Sequence, residues 1–287
     1  MKVLLAVDGS DQSYEAVRAL AYLSRAEELH VLHVLDVPTP AYPMMVPEVA
    51  QELYATVEQT MREDGNRLLD RIVSLLPMET GPATKQLAIG SPADRIVDYA
   101  ATHQIDLVLV GARGLGPIKE RLMGSVSHRV LTFSPCATLI LPCFMKALKH
   151  VLLPLQGSQD AERALLFLRH KPFRESVPIT LLTVLPQTTP PWPVDAAAAK
   201  QLESQSLTSA EAFTQTVASQ LAQMGYPVQS KAVLGAPVEA ILREAVALQA
   251  DLVMMGSRGR HGLTRMVLGS VSHAVLHHAP CPLLVFH

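Results

Sequence analysis

Three things are scarce in this sequence: unbroken apolar length, charge of one sign, and cysteine. The longest apolar runs, such as Ala137–Leu141 and Leu181–Leu185 with their neighbours, fall far short of the ~20 residues that a membrane-spanning helix needs. No secretory leader is expected, because Asp8 interrupts the first apolar run almost at once. Acids and bases are interspersed and leave a formal net charge of −2. That balance offers no basic stripe for nucleic acid and no polybasic cluster for a membrane surface. Three cysteines are too few and too scattered for a disulfide framework. Cys136 and Cys281 lie 145 residues apart in S-P-C-A and A-P-C-P, where a small buried residue is expected before the last strand of each half. Cys143 has no partner at a redox or zinc spacing. These absences predict a cytoplasmic protein with neither a nucleic-acid nor a membrane partner.

What is present is a repeat. With 287 residues, 49% of them hydrophobic and 17% charged, the chain is long enough for two domains with substantial cores. Val110–His128, V-G-A-R-G-L-G-P-I-K-E-R-L-M-G-S-V-S-H, returns at Met255–His273 as M-G-S-R-G-R-H-G-L-T-R-M-V-L-G-S-V-S-H. In each copy an apolar run ends at a glycine (Gly111, Gly256). Two residues separate that from a second glycine (Gly114, Gly259), and nine more lead to Gly124-Ser125 or Gly269-Ser270. Arg113 and Arg258 recur as fillers, as do Val126-Ser127-His128 and Val271-Ser272-His273.

The spacing has the form of a phosphate cradle. A strand that stops at glycine turns sharply, and a glycine three residues on lets backbone N–H groups approach a ligand with no Cβ in the way. Gly-Ser before a helical pattern then reads as a helix start, with the serine as cap and the first free N–H groups facing an anion. It is neither a Walker loop nor a G-x-G-x-x-G fingerprint. No acid recurs in the second copy near the place of Glu120, where Met266 and Val267 are neighbours. The basic residues Lys119, Arg121, Arg260 and Arg265 differ between copies and read as solvated.

The rest of the chain alternates strand and helix. Strands are predicted at Lys2–Asp8, His30–Leu35, Ala83–Ala88, Asp106–Val110 and Thr138–Leu141. Helices are predicted over Asp11–Arg25, Glu48–Leu76 and Ala93–His103, and from Ser125, with a proline-rich loop at Pro38–Pro47. From Lys146 the order restarts, V-L-L-P-L-Q-G-S at Val151–Ser158 answering V-L-L-A-V-D-G-S at Val3–Ser10. Strands follow at Ile179–Leu185, Val228–Val233, Asp251–Met255 and Leu283–Phe286. Helices follow at Asp160–Arg169, Asp195–Met224 and Val238–Leu248, with a second proline-rich loop at Pro186–Pro193. The expected fold is α/β: two doubly wound five-stranded parallel sheets in tandem, Rossmann-like, strand order 3-2-1-4-5, with domains 1–145 and 146–287. That order sets the ends of strands one and four side by side. Asp8 and the Gly111 loop would meet in the crevice where ligands bind such sheets.

G-x2-G-x9-G-S after a hydrophobic strand resembles the nucleotide loop of the universal stress protein family, in its ATP-binding branch. The V-D-G-S at Val7–Ser10 resembles that family's first-strand end, and the likeness spans both halves. It implies a nucleotide-dependent stress-response or regulatory module that binds ATP, or ADP or AMP, with Mg arriving on the phosphates. In the first half it places the ligand against Ala6, Val7 and Asp8, the adenine-packing Val34, and Gly111, Arg113, Gly114, Gly124, Ser125 and Val126. In the second half it places it against Val184, Gly256, Arg258, Gly259, Gly269, Ser270 and Val271. It also implies that the edge strands Thr138–Leu141 and Leu283–Phe286 hold the halves as an intrachain pseudo-dimer; homodimer formation is left open.

The halves differ where it matters most. The family's acid at the end of strand one is matched by Asp8 and replaced by Gln156, and Pro154 stands in place of Ala6 within the strand. The first half is therefore expected to bind nucleotide more firmly. Ser10 and Ser158 are expected to cap the helices that follow. Of the eleven histidines, His128 and His273 are repeat-equivalent and His277-His278 are adjacent, pointing apart on a helix; they are read as structural, and no metal site is expected. With no assembled nucleophile and base, a binding module is favoured over the alternative, a slow ATPase or nucleotidyl-transfer enzyme.

Overall fold

The computed structural model describes residues 1–38, 47–114, 123–186, 196–257 and 268–287. The chain divides into two compact units, Met1–Pro142 and Cys143–His287. Both proline-rich loops and the middle of both glycine loops lie outside the described residues.

In the first unit β1 (Lys2–Val7), β2 (Glu28–Leu35), β3 (Ala83–Ile89), β4 (Leu107–Gly111) and β5 (Ala137–Leu141) form a parallel sheet in the order β3-β2-β1-β4-β5. The three strands β1, β4 and β5 are apolar almost without a break and buried along nearly their whole length, as a parallel sheet covered on both faces requires. Strand β3 exposes Thr84, Lys85 and Gln86 and is half-buried elsewhere, which marks it as an edge. The helices are α1 (Asp11–Ala19), α2 (Pro47–Ser74), α3 (Pro92–Thr102) and α4 (Ser125–Phe133). Helix α1 ends earlier than the sequence pattern suggests, because a 3-10 turn at Leu20–Tyr22 tightens its end. In α3 the first residue is Pro92, whose missing N–H costs nothing at that position.

The second unit repeats the plan with β6 (Val151–Pro154), β7 (Ile179–Leu185), β8 (Val228–Leu234), β9 (Leu252–Gly256) and β10 (Leu283–Phe286), in the order β8-β7-β6-β9-β10. Its helices are α5 (Ser158–Arg169), α6 (Ala196–Gln223), α7 (Pro237–Ala247) and α8 (Ser270–His278). Pro154 has the effect its missing N–H predicts. The pairing of β1 with β4 runs from Val3↔Leu107 to Ala6↔Val110, whereas β6 meets β9 only at Val151↔Leu252 and Leu152↔Val253. The central strands of the second sheet part earlier, at the end where the crevice opens. No helix among the described residues is long and apolar enough to cross a membrane.

Candidate functional site

The end of β1 and the end of β4 come together in the first unit. Gly9, with φ +82°, turns the chain out of β1 in a conformation that favours glycine. Ser10 then caps α1, its hydroxyl accepting from the Ser13 N–H at 3.2 Å. Asp8 Oδ1 accepts from the Ser10 N–H at 3.0 Å and from the Ser10 hydroxyl at 2.6 Å. Its other oxygen, Oδ2, lies against Gly114, where a Cβ would collide with it. Two residues 106 positions apart in sequence thus form one corner.

The loop after β4 is fastened on both sides. The Gly124 N–H donates to Ala112 O at 2.8 Å and the Ser127 hydroxyl to Gly111 O at 2.6 Å, while the Ser10 hydroxyl oxygen lies 3.3 Å from Arg113 O. Helix α4 begins at Ser125 with Gly124 as N-cap and no side-chain cap, which corrects the expectation that the serine of Gly-Ser is the cap. A glycine cap leaves the first N–H groups of the helix without a side-chain acceptor, open to an external anion. The second unit is built alike. Gly269 caps α8, its N–H donates to Ser257 O at 2.8 Å, and the Ser272 hydroxyl donates to Gly256 O at 2.8 Å. The serine that matters to this corner is the one two residues on, Ser127 or Ser272, which ties the helix start back to the strand end.

A cavity of about 520 Å³ opens in the first unit, within the range of small-molecule sites. All ten first-half residues expected at the ligand line it: Ala6, Val7, Asp8, Val34, Gly111, Arg113, Gly114, Gly124, Ser125 and Val126. Leu32, Ile96 and Met123 complete an apolar side, with Pro92 and Ser13 nearby. Sequence reasoning missed these. Leu32 precedes Val34 by one strand period on the same face, a signal that was there to be used; Met123 carries none. Val34 and its counterpart Val184 are both half-exposed rather than core.

In the second unit Gly256, Gly269, Ser270 and Val271 occupy the equivalent corner, while Arg258 and Gly259 lie outside the described residues, as do Lys119, Glu120, Arg121, Arg260 and Arg265. Ser158 does not cap α5; the N-cap is Gly157, without a side-chain bond. The second half keeps one acid nearby, at the place that Gln12 holds in the first half. D-G-S-D-Q at residues 8–12 becomes Q-G-S-Q-D at residues 156–160, and Asp160, in the first turn of α5, is buried. Its Oδ2 accepts from the Gln156 N–H at 3.1 Å, and its Oδ1 crowds Gly256. The carboxylate therefore closes the second corner from within.

Burial pushes the Asp160 carboxyl above its ordinary range, against the pull of the Gln156 N–H and Arg163. An acid whose folded pKa is raised favours folding below its unfolded pKa, and that contribution is lost as pH rises through the folded value. Asp160→Asn, which keeps the acceptor and removes the charge, is expected to raise the urea midpoint of the second unit at pH 7 and to gain less at pH 4. Equal gains at both pH values would remove the charge as the cause.

The two repeat-equivalent thiols are poor nucleophiles. Burial pushes Cys136 up to about 11 and Cys281 up to about 12, so each is overwhelmingly protonated at neutral pH. Cys281 is buried, as the small-residue reading expects, whereas Cys136 is half-buried.

The family model for the universal stress protein family matches residues 1–142 and again 147–287. Universal stress protein YxiE of Bacillus subtilis is 32% identical over 143 residues, covering 48% of this chain and 97% of its own. A universal stress protein of Mycolicibacterium smegmatis is 29% identical over 306 residues and covers 99% of this chain and 96% of its own. Among solved structures, a universal stress protein from Archaeoglobus fulgidus superposes with a TM-score of 0.61 at 22% identity, covering 99% of this chain and 95% of its own, a likeness of fold.

Proposed function

This chain belongs to the universal stress protein family, as two such domains in tandem, and on that premise we propose that it binds an adenine nucleotide in the crevice of its first domain and acts as a nucleotide-dependent regulatory module of the stress response. The observation that carries this reading is the convergence of β1, β2, the loop after β4 and the start of α4 on one cavity of about 520 Å³. Apolar residues of the strands and of α3 offer a surface for a purine ring, and the N-terminus of α4 offers backbone N–H groups and the positive end of its dipole for phosphates. ATP is the expected occupant, with ADP or AMP filling less of the cradle and Mg held by phosphates and water.

The second domain is the weaker site. Gln156 brings no charge to the strand end, β6 leaves β9 early, and Asp160 sets a carboxylate beside Gly256 where the first domain has Gln12 beside Gly111. A buried carboxylate there also opposes a polyphosphate of like charge. Turnover is not part of the proposal. Among the described residues lining the first cavity Asp8 is the one carboxylate, and its Oδ1 already accepts two hydrogen bonds from Ser10.

Gly124 separates binding from folding. Its φ of −67° and ψ of 151° are open to any residue, and an added Cβ would come no nearer than 3.3 Å to Ala112 O and 3.4 Å to Arg113 Cα, which asks a few tenths of an ångström of the loop. The Gly124→Ala protein is expected to fold with nearly unchanged stability and to lose nucleotide affinity several-fold, because the methyl group stands where the phosphates approach. Mass spectrometry of small molecules released from the native protein, followed by ATP titration of both proteins, checks this. Recovery of no nucleotide, together with no binding up to millimolar ATP, would remove the proposal.

A further inference from the structure

Helix α8 carries a histidine pair at a spacing that holds metals. Its sequence is S-V-S-H-A-V-L-H-H, and residues i and i+4 share a face, so the partner of His277 is His273, not its neighbour His278. The buried face of the helix is Ser272, Val275 and Leu276. His273 is exposed and His277 half-buried on the flank beside it. Their ring centroids are 4.6 Å apart with the planes inclined at 59°. With metal–nitrogen bonds of about 2.0–2.1 Å, two imidazoles bound cis to one ion have ring centres about 4.5–5 Å apart, so the two rings already have the separation that chelation demands.

We propose that His273 and His277 chelate one divalent transition-metal ion, Cu²⁺, Ni²⁺ or Zn²⁺, on the outer flank of α8. Imidazole is a borderline ligand that suits these ions and leaves Mg²⁺ and Ca²⁺ to oxygen donors. Among the described residues no cluster of three or more His, Cys, Asp or Glu is placed to hold a metal ion, so the proposal takes the two imidazoles as the protein ligands and water as the remainder of the shell. The ion is therefore exchangeable and accessible from solvent, unlike a structural zinc enclosed by four protein ligands. The site is a property of the second domain alone. The matching helix α4 reads S-V-S-H-R-V-L-T-F and places Thr132 where α8 has His277, its hydroxyl donating to His128 O at 2.8 Å.

The test is titration of the full-length protein with Ni²⁺ alone, followed by calorimetry and by paramagnetic broadening of amide resonances. One saturable site per chain is expected, with broadening centred on α8. His273→Ala and His277→Ala should each weaken it at least ten-fold, and His278→Ala should leave it unchanged. Because His273 is exposed, its variant reports on the site even if the half-buried His277 position proves sensitive to replacement. No saturable site, undiminished binding by His273→Ala, or an equal loss with His278→Ala would each overturn the assignment.

Discussion

Replacing Gly114 by alanine is expected to lower the affinity of the first domain for adenine nucleotide by about ten- to a hundred-fold while leaving its fold intact. The reason lies in Asp8 rather than in the loop. The backbone at Gly114 is not in the left-handed region, and the near neighbour of a Cβ built there is Asp8 Oδ2. A methyl group at residue 114 must displace that carboxylate, which is held by two hydrogen bonds from Ser10. Asp8 lines the proposed nucleotide cavity, and a hydrogen bond from the ligand to a charged group contributes about 1.5–3 kcal/mol, a factor of about 10–150 in binding. The double variant tests the route. If Gly114 acts through Asp8, Gly114→Ala in an Asp8→Asn background should cost almost nothing further, since the two share one interaction. Additive losses, measured by ATP titration of the four proteins, would show that Gly114 touches the ligand itself.

The same corner marks how far the sequence could be read. The alternation of apolar runs with helical periods dictated the strand order β3-β2-β1-β4-β5, because right-handed crossovers leave few other ways to close such a sheet, and that order alone brings Asp8 to Gly114. Helix starts were less legible. Gly-Ser offers two residues able to cap, and spacing does not say which hydroxyl turns inward; the bonds of Ser127 and Ser272 to the preceding strand end depend on packing between elements 16 residues apart. The exchange of Gln12 for Asp160 between the repeats was visible as D-G-S-D-Q against Q-G-S-Q-D. Its meaning was not, since the first turn of a helix is where an acid is ordinarily welcome and exposed, and only the fold shows Asp160 buried against Gly256. The histidine pair of α8 stands in the sequence as H-x3-H, but the adjacent His277-His278 is the more conspicuous pair there.

The largest stability effect expected in the first domain comes from a packing exchange between the two repeats. Gly65 sits within α2 and faces the sheet, where an added Cβ would meet Leu87 Cδ1 at 2.8 Å, His33 Cδ2 at 3.1 Å and Leu35 Cδ2 at 3.3 Å. Strand register makes Thr183 the counterpart of His33 and Ala232 that of Leu87. Thr214 faces Thr183 in the second domain, their hydroxyls 3.2 Å apart. One domain fills this space with Gly, His and Leu, the other with Thr, Thr and Ala. Gly65→Ala should be near balance: the helix gains about 1 kcal/mol from losing glycine, and the Leu87 terminus can move aside. Gly65→Thr should not, because a branched side chain also presses on His33, which its 2.7 Å bond to Val7 O holds in place. Overpacking of that kind costs about 1–3 kcal/mol. The triple variant Gly65→Thr, His33→Thr, Leu87→Ala recreates the second domain's set and should recover most of the loss, although each of the added changes is destabilising by itself. Hydrogen exchange of the β2 and β3 amides in the full-length protein measures the effect. A triple variant no better than the sum of its parts would show that the two repeats reached their packing independently, without complementary volumes.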